Sequence, residues 1–309
     1  MSARLSVRLS TCSFRGDFES CRTLCESVDR FVDGSIEHWL IVPSRDLDLF
    51  RGLGGGRRRV VAEDAFLPRG FWKAPTPPAP VRKLLGLPRR NVYLTPFSPP
   101  VRGWIAQQIM KIAATVEADA DVVVHVDSDN AFIRPLAYEH LVRGDTVRLY
   151  RSPEMIPLDT HRRWHRAASA LLGLPDEDWH GAEYIDALVV WRRSAAAAMA
   201  ERIEAVAGKS WRVALSRTPH FAEYVLYGVH ADRIMGFEAA GVWPEPLSLC
   251  HSRWSGDFAG PEDEEAFVKA VRPGQVSCLI QSTIDLTPER RAELYARVER
   301  EAARQDAGG

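Results

Sequence analysis

The chain has 309 residues, with 40 Lys and Arg against 41 Asp and Glu, a formal net charge of −1. That balance gives no electrostatic case for nucleic acid or an anionic membrane surface as a partner. With 46% hydrophobic and 26% charged residues, the composition is that of a soluble globular protein, and the length suits one large α/β domain or two small ones. No stretch reaches the roughly 18 apolar residues of a membrane span. The opening MSARLSVRLS lacks the apolar core of a signal peptide, so the expected location is cytoplasmic. Cys12, Cys21, Cys25, Cys250 and Cys278 follow no zinc spacing and are expected to be reduced, with Cys25 in the core and Cys12 near a pocket.

In chain order, Leu5–Leu9 alternates like a first strand. Phe18, Cys21, Leu24, Cys25, Val28 and Phe31 recur at helical steps, and Asp17 stands where an N-cap would. Gly34 ends that helix, and Glu37–Val42 is a second strand, so the chain opens with a strand–helix–strand unit of an α/β sheet. Arg57–Arg59, after three glycines, reads as a solvated loop, and Val60–Ala62 as a short strand. From Pro68 to Pro100 the prolines (Pro75, Pro77, Pro78, Pro80, Pro88, Pro96, Pro99) exclude regular helix and predict a flap or acceptor-side loop.

Arg102–Glu117 is a clear amphipathic helix with Ile105, Ile109, Ile112, Ala113 and Val116 on its apolar stripe and Trp104, Gln107, Gln108 and Lys111 off it. It leads into DVVVHVDSDNAFIRP, Asp121–Pro135. The β-branched run Val122–Val126 predicts a buried strand, and the carboxylates of Asp127 and Asp129 at its end share one side. Two hard oxygen donors on one side suit Mg²⁺ or Mn²⁺ shared with phosphates; the bland alternative is a solvated Asp-Ser-Asp-Asn turn.

Beyond Pro135, Leu136–Val142 reads as helix, Asp145–Tyr150 as strand, Trp164–Leu172 as helix and Tyr184–Trp191 as strand, with Asp186 near its start. Ser194–Ala207 is helical by its alanines, and Phe221–Val229 is a helix closing at Gly228. Leu247–Cys250 is a strand before His251-Ser252-Arg253-Trp254. Helices Glu262–Val271 and Pro288–Arg304 complete the chain, the last with Thr287 as N-cap.

A hydrophobic strand ending in Asp-x-Asp, then apolar residues and Arg-Pro, resembles the metal motif of nucleotide-sugar glycosyltransferases of the GT-A superfamily. SFRGDFESCRTLCESVDRF, GWIAQQIMKI and AEYVLYG resemble a bacterial glycosyltransferase-like group of unknown function within it. The resemblance implies a GT-A-like, Rossmann-type α/β fold with a mixed, mostly parallel sheet. It implies a catalytic domain over 1–286 and a C-terminal helix and tail over 287–309. The implied ligands are a nucleotide-sugar donor, by superfamily habit a UDP-sugar, a saccharide or small-metabolite acceptor, and Mn²⁺ or Mg²⁺.

The same resemblance nominates Asp127 and Asp129 as metal ligands, with His251 as a further ligand. Thr11, Ser13, Asp17, Gln107, Gln108, Lys111, Ser128 and Trp254 are nominated for the donor. Asp186 and Glu223 are the acids nominated to take the acceptor's proton. Rival readings are a haloacid-dehalogenase-like phosphatase, whose Asp-x-Asp opens its domain, and a sugar-nucleotide-binding protein without catalysis.

Overall fold

The structure, a computed structural model, describes residues 4–75 and 91–308. The chain runs through β1 (Val7–Cys12), α1 (Phe18–Phe31), β2 (Glu37–Val42), a short α2 (Leu47–Phe50) and β3 (Arg58–Ala62). Strands β4 (Trp72–Lys73), β5 (Val92–Leu94) and β6 (Val101–Arg102) precede α3 (Gly103–Val116), β7 (Val122–Val126) and β8 (Asn130–Phe132). Next come β9 (Val142–Arg143), β10 (Thr146–Tyr150), α4 (Asp159–Leu172), β11 (Leu188–Arg192), α5 (Arg193–Ala207), α6 (Trp211–Ser216) and α7 (Glu223–Val229). The last part holds α8 (Phe237–Ala240), β12 (Val242–Glu245), β13 (Cys250–Arg253), α9 (Pro261–Lys269), β14 (Ser277–Ile280) and α10 (Pro288–Gly308).

The central sheet has the order β11-β7-β1-β2-β3. Its β7, β1, β2 and β3 are mutually parallel, and β11 runs antiparallel to β7. This is a mixed α/β fold with a mostly parallel sheet flanked by helices. Every residue of β7 is buried, which is why its sequence is β-branched and continuous rather than alternating. Leu24 and Val28 of α1 and Ile105, Ile109 and Ile112 of α3 join β1, β7 and β11 in one core. A second apolar cluster ties Ala131 and Ile133 to α9, β14 and α10 through Phe267, Cys278, Ile280, Leu294 and Val298. Among the described residues no helix is long and apolar enough to cross a membrane, and the cysteines are free.

Several expected elements move for local reasons. The strand expected over Tyr184–Trp191 starts at Leu188, because Glu183 Oε1 takes the N–H groups of Tyr184 and Ile185, and Asp186 Oδ1 takes that of Ala187. Leu136–Val142 is not a helix: it holds one turn at Tyr138–His140, and Val142 pairs with Val147 instead. The strand expected over Leu247–Cys250 lies at Cys250–Arg253, after the Ser248 hydroxyl has taken the Cys250 N–H. Gly228 does not close α7, which runs on into a π-helical turn over His230–Met235. A Cβ at Gly228 would lie 2.1 Å from Tyr184 Cγ, so this glycine serves close packing.

Arg57 and Arg58 are not solvated. Arg57 donates to the carbonyls of Val28, at 2.6 Å, and Val32, at 2.8 Å, closing the C-terminal end of α1, where a cation also suits the helix dipole. Arg58 is buried against His38, Leu53 O, Cys25 O and Asp29. Of the Pro-rich stretch, the part over 76–90, with Pro77, Pro78, Pro80 and Pro88, lies outside the described residues. Its flanks form the antiparallel sheet β4-β5-β6. Thr287 caps α10 as expected, its Oγ1 accepting the Arg290 N–H at 3.2 Å.

Candidate functional site

A cleft of about 560 Å³ opens at the carboxyl ends of the parallel strands, the usual place for a ligand in an open α/β sheet. Its floor is Cys12 at the end of β1 with Ser13 beyond it, Pro43 after β2 and Glu63 after β3. Asp127, Ser128 and Asp129 come from the end of β7. One wall is the first half of α3, with Trp104, Gln107, Gln108 and Lys111, joined by Glu223 at the start of α7.

The Asp-x-Asp segment is a tight turn rather than a strand continuation. The backbone N–H and Nδ2 of Asn130 both donate to Asp127 O, at 3.2 and 3.1 Å. Asp129 is buried; its Oδ2 accepts the Ser282 N–H at 2.8 Å, and its carbonyl accepts the hydroxyl of Tyr295 from α10. Both aspartates line the cleft, and the solvated-turn alternative fails for Asp129. The Arg134 that follows is buried too, donating to Arg272 O, Gln275 O and Ala302 O, so the Arg-Pro of the segment anchors α10.

Negative charge is crowded here. Burial, with Asp127 and Asp17 nearby, pushes the Asp129 carboxyl up to about 7 against the Ser282 hydrogen bond. Asp17 stands at the N-cap position of α1, yet its side chain makes no cap hydrogen bond. It lines the cleft instead, and burial together with Asp127 pushes it up to about 6, against Arg291 and Ser128.

Lys111 is the counter-charge. Its Nζ lies 2.8 Å from Asp127 Oδ1 and 3.1 Å from Glu223 Oε1, and donates to the Tyr224 hydroxyl at 2.8 Å. Burial opposes its charge, but Asp127 and its other partners outweigh burial and hold it well above the ordinary lysine value. Burial raises Glu223 despite Lys111. Asp127 Oδ1, although at ion-pair distance from Lys111, is buried without a well-directed hydrogen bond. Gln108 uses its Oε1 to accept the Glu223 N–H at 2.9 Å, which leaves its buried Nε2 without a partner at the cleft wall.

The structure thus brings together Ser13, Asp17, Gln107, Gln108, Lys111, Asp127, Ser128, Asp129 and Glu223. Thr11, Asp186, His251 and Trp254 are not among the residues lining the cleft. Thr11 is fully buried and hydrogen-bonded to His38 Nε2, pointing away from the cleft that its neighbour Cys12 lines. Asp186 is a buried acid accepting from Ala187 N–H and the Ser248 hydroxyl, and burial pushes it up to about 6. His251 stacks on Phe267, and its Nε2 donates to Phe267 O at 2.8 Å; that nitrogen is spent on the second core. Trp254 follows β13 at the surface.

Sequence reasoning missed Glu63 and Tyr93, whose hydroxyl donates to Glu63 Oε2 at 2.6 Å. The signal was present, since Glu63 follows an apolar strand as Asp127 does. It missed Arg291 and Tyr295 as well, one helical turn apart on α10. Arg291 donates to Ile284 O and, with Tyr295, ties α10 to the Asp129 turn.

The donor set is hard oxygen: the carboxylates of Asp127 and Asp129, with Asp17 beside them. Among the described residues no three His, Cys, Asp or Glu side chains are placed to enclose a metal ion. Two carboxylates nevertheless fit a divalent cation that completes its shell with water and ligand oxygens, which is how Mg²⁺ is usually held. The fold and cleft define an α/β protein with a carboxylate-lined cleft at the sheet's carboxyl edge. The model of DUF6492, a family of unknown function, matches residues 1–296, and the chain belongs to that family. Comparison with curated proteins gave no match.

Proposed function

We propose that the protein is a divalent-metal-dependent glycosyltransferase of GT-A type, moving a sugar from a nucleoside-diphosphate donor to an acceptor hydroxyl. The observation that carries this reading is the convergence of Asp127, Asp129 and Asp17 in one cleft, with Asp17 and Asp129 held well above the usual carboxylate range. Burial keeps protons on these acids, and a divalent cation bound between them would displace the protons and relieve the crowding. The antiparallel β11 beside the Asp-x-Asp strand, in an otherwise parallel sheet, also fits the reading.

Asp127 and Asp129 would hold Mn²⁺ or Mg²⁺. When bound, that cation neutralises charge on the departing nucleoside diphosphate. Lys111 holds Asp127 in place, and the free Nε2 of Gln108 offers a donor to a ligand oxygen. Glu223 lines the cleft and Asp186 does not, so of the two expected acids Glu223 is the one for the acceptor's proton. A UDP-sugar donor and a cytoplasmic setting belong to the same proposal.

The test is thermal-shift binding of UDP, GDP, CMP and dTDP, each with and without Mn²⁺, on wild type, Asp127→Ala, Asp129→Ala and Asp129→Asn. A nucleotide at about 100 times its dissociation constant stabilises by about 2.7 kcal/mol. The expected result is metal-dependent stabilisation by one nucleotide, lost in the folded variants. No response to any nucleotide by the wild type would overturn the reading.

A further inference from the structure

We propose that Trp104 is the surface on which a sugar ring of a saccharide acceptor stacks, which makes the acceptor a saccharide rather than a small metabolite. This rests on the transferase reading. Trp104 lines the cleft while the residue is 44% exposed. A lone surface tryptophan needs no explanation; this one is braced.

Its ring packs against Trp164 of α4, with centroids 5.8 Å apart and planes at 36°. Trp164 in turn stacks on His161, 5.4 Å away at 20°. His161 Nδ1 lies 3.1 Å from Oε2 of the buried Glu183, at ion-pair distance without a well-directed hydrogen bond, and the other Glu183 oxygen is fixed by two backbone N–H groups. One face of the indole is therefore packed before any ligand arrives, which lowers the ordering cost of a stacking contact.

Position assigns the occupant. The sheet order places Asp127 at the end of β7, with β1, β2 and β3 all to one side. The cleft runs that way past Cys12 and Pro43 to Glu63, along the carboxyl ends of three successive strands. Trp104 lies instead in the helix layer, on the same helix as Lys111 and braced by α4, which packs against the α7 that carries Glu223. A flat apolar face with the amide of Gln107 one turn along matches a pyranose: C–H groups against the ring, hydroxyls at its edge.

The experiment uses the full chain labelled with 5-fluorotryptophan, the Trp104 ¹⁹F signal being assigned by Trp104→Phe. Titrants are maltose, cellobiose, lactose and chitobiose at millimolar concentration, and separately the four nucleotides with Mg²⁺. One disaccharide is expected to shift the Trp104 signal while no nucleotide does. Trp104→Ala should weaken that disaccharide at least tenfold and leave the nucleotide thermal shift unchanged. Trp164 and His161 are positioning residues: Trp164→Ala should weaken the disaccharide, and Trp164→Phe should restore most of the loss.

A Trp104 signal moved by a nucleotide, or by no disaccharide even with nucleotide and Mg²⁺ present, overturns the inference. Absence of any nucleotide thermal shift defeats the transferase reading instead, and the disaccharide titration still reports on Trp104 by itself.

Discussion

Two concavities of nearly equal size sit at opposite edges of the same parallel strands. The cleft at the carboxyl ends is about 560 Å³; the cavity at the amino ends, lined by Arg4, Arg8, Asp33, Glu37, Asp119 and Tyr138, is about 520 Å³. Both are rich in charge, so neither volume nor composition separates them. The difference lies in how the charges are solvated. In the second cavity the acids face water and are paired: Arg8 meets Asp119 and Glu37, and Asp33 accepts from Ser35. Hydrogen bonds hold the Asp33 and Asp119 carboxyls below their ordinary value. In the cleft, burial raises Asp17, Glu63, Asp129 and Glu223. Paired, hydrated charge gains little from a further cation, whereas buried acid in excess of its partners would gain from one.

The largest expected effect sets one buried cation from each concavity against the other. Lys111→Met strips the buried carboxylate of Glu223 and the half-buried Asp127 of their counter-charge and should cost about 3–5 kcal/mol. Arg8→Met also removes a buried cation, one lying on the Trp39 ring at 3.9 Å. Its partner Asp119 is free to rehydrate, and a methionine keeps the packing on Trp39, so about 1 kcal/mol is expected. Urea denaturation of both variants checks this, and equal costs would break the comparison.

Next comes the sign of the pH dependence, read on metal-free protein in chelator. The Asp129 carboxyl titrates at about 7 when folded and near 3.8 when unfolded, so its contribution to stability is present below pH 3.8 and is lost as pH rises to 7. Asp129→Asn should therefore gain on wild type between pH 4 and pH 8, by up to about 4 kcal/mol, with water in the cleft reducing the gain. Asp33 and Asp119 have the opposite sign: their contribution is present above the unfolded value and is lost as pH falls.

Buried His165 and His230, held by burial at about 3 and about 4, add a separate acid sensitivity. Their stability is complete above pH 6.5, and each costs about 2 kcal/mol by pH 5. Because both variants carry these histidines, the difference between wild type and Asp129→Asn isolates the cleft. A flat difference across that range would remove the electrostatic distinction between the two concavities.

How much of this was legible follows from the range of each signal. The β7 strand and its aspartates, α1, β2, α3 and the capped α10 were readable, because hydrophobic period and cap chemistry are local. Lys111 was nominated, but its burial was not foreseen, since a lysine off the apolar stripe reads as solvated until Asp127, Glu223 and Tyr224 arrive from elsewhere in the chain. The Leu136–Val142 helix and the placement of Tyr184–Trp191 were misread because side chains and distant strands claimed the backbone N–H groups. His251 looked like a ligand only while Phe267 O was unseen.

The smallest effects make the closest contrast, one hydrogen-bonded acid from each concavity. Tyr93→Phe removes the hydroxyl from the buried Glu63 Oε2 at the cleft floor and should cost about 1–2 kcal/mol, because the carboxylate stays where water reaches it poorly. Asp119→Ala removes an acid whose side chain is 83% exposed, and Arg8 keeps Glu37. That change should fall within about 0.5 kcal/mol. It should also leave any nucleotide-dependent thermal shift untouched, whereas Tyr93→Phe, altering a cleft wall, should reduce it. A nucleotide response that followed Asp119 instead of Tyr93 would move the ligand site to the other edge of the sheet.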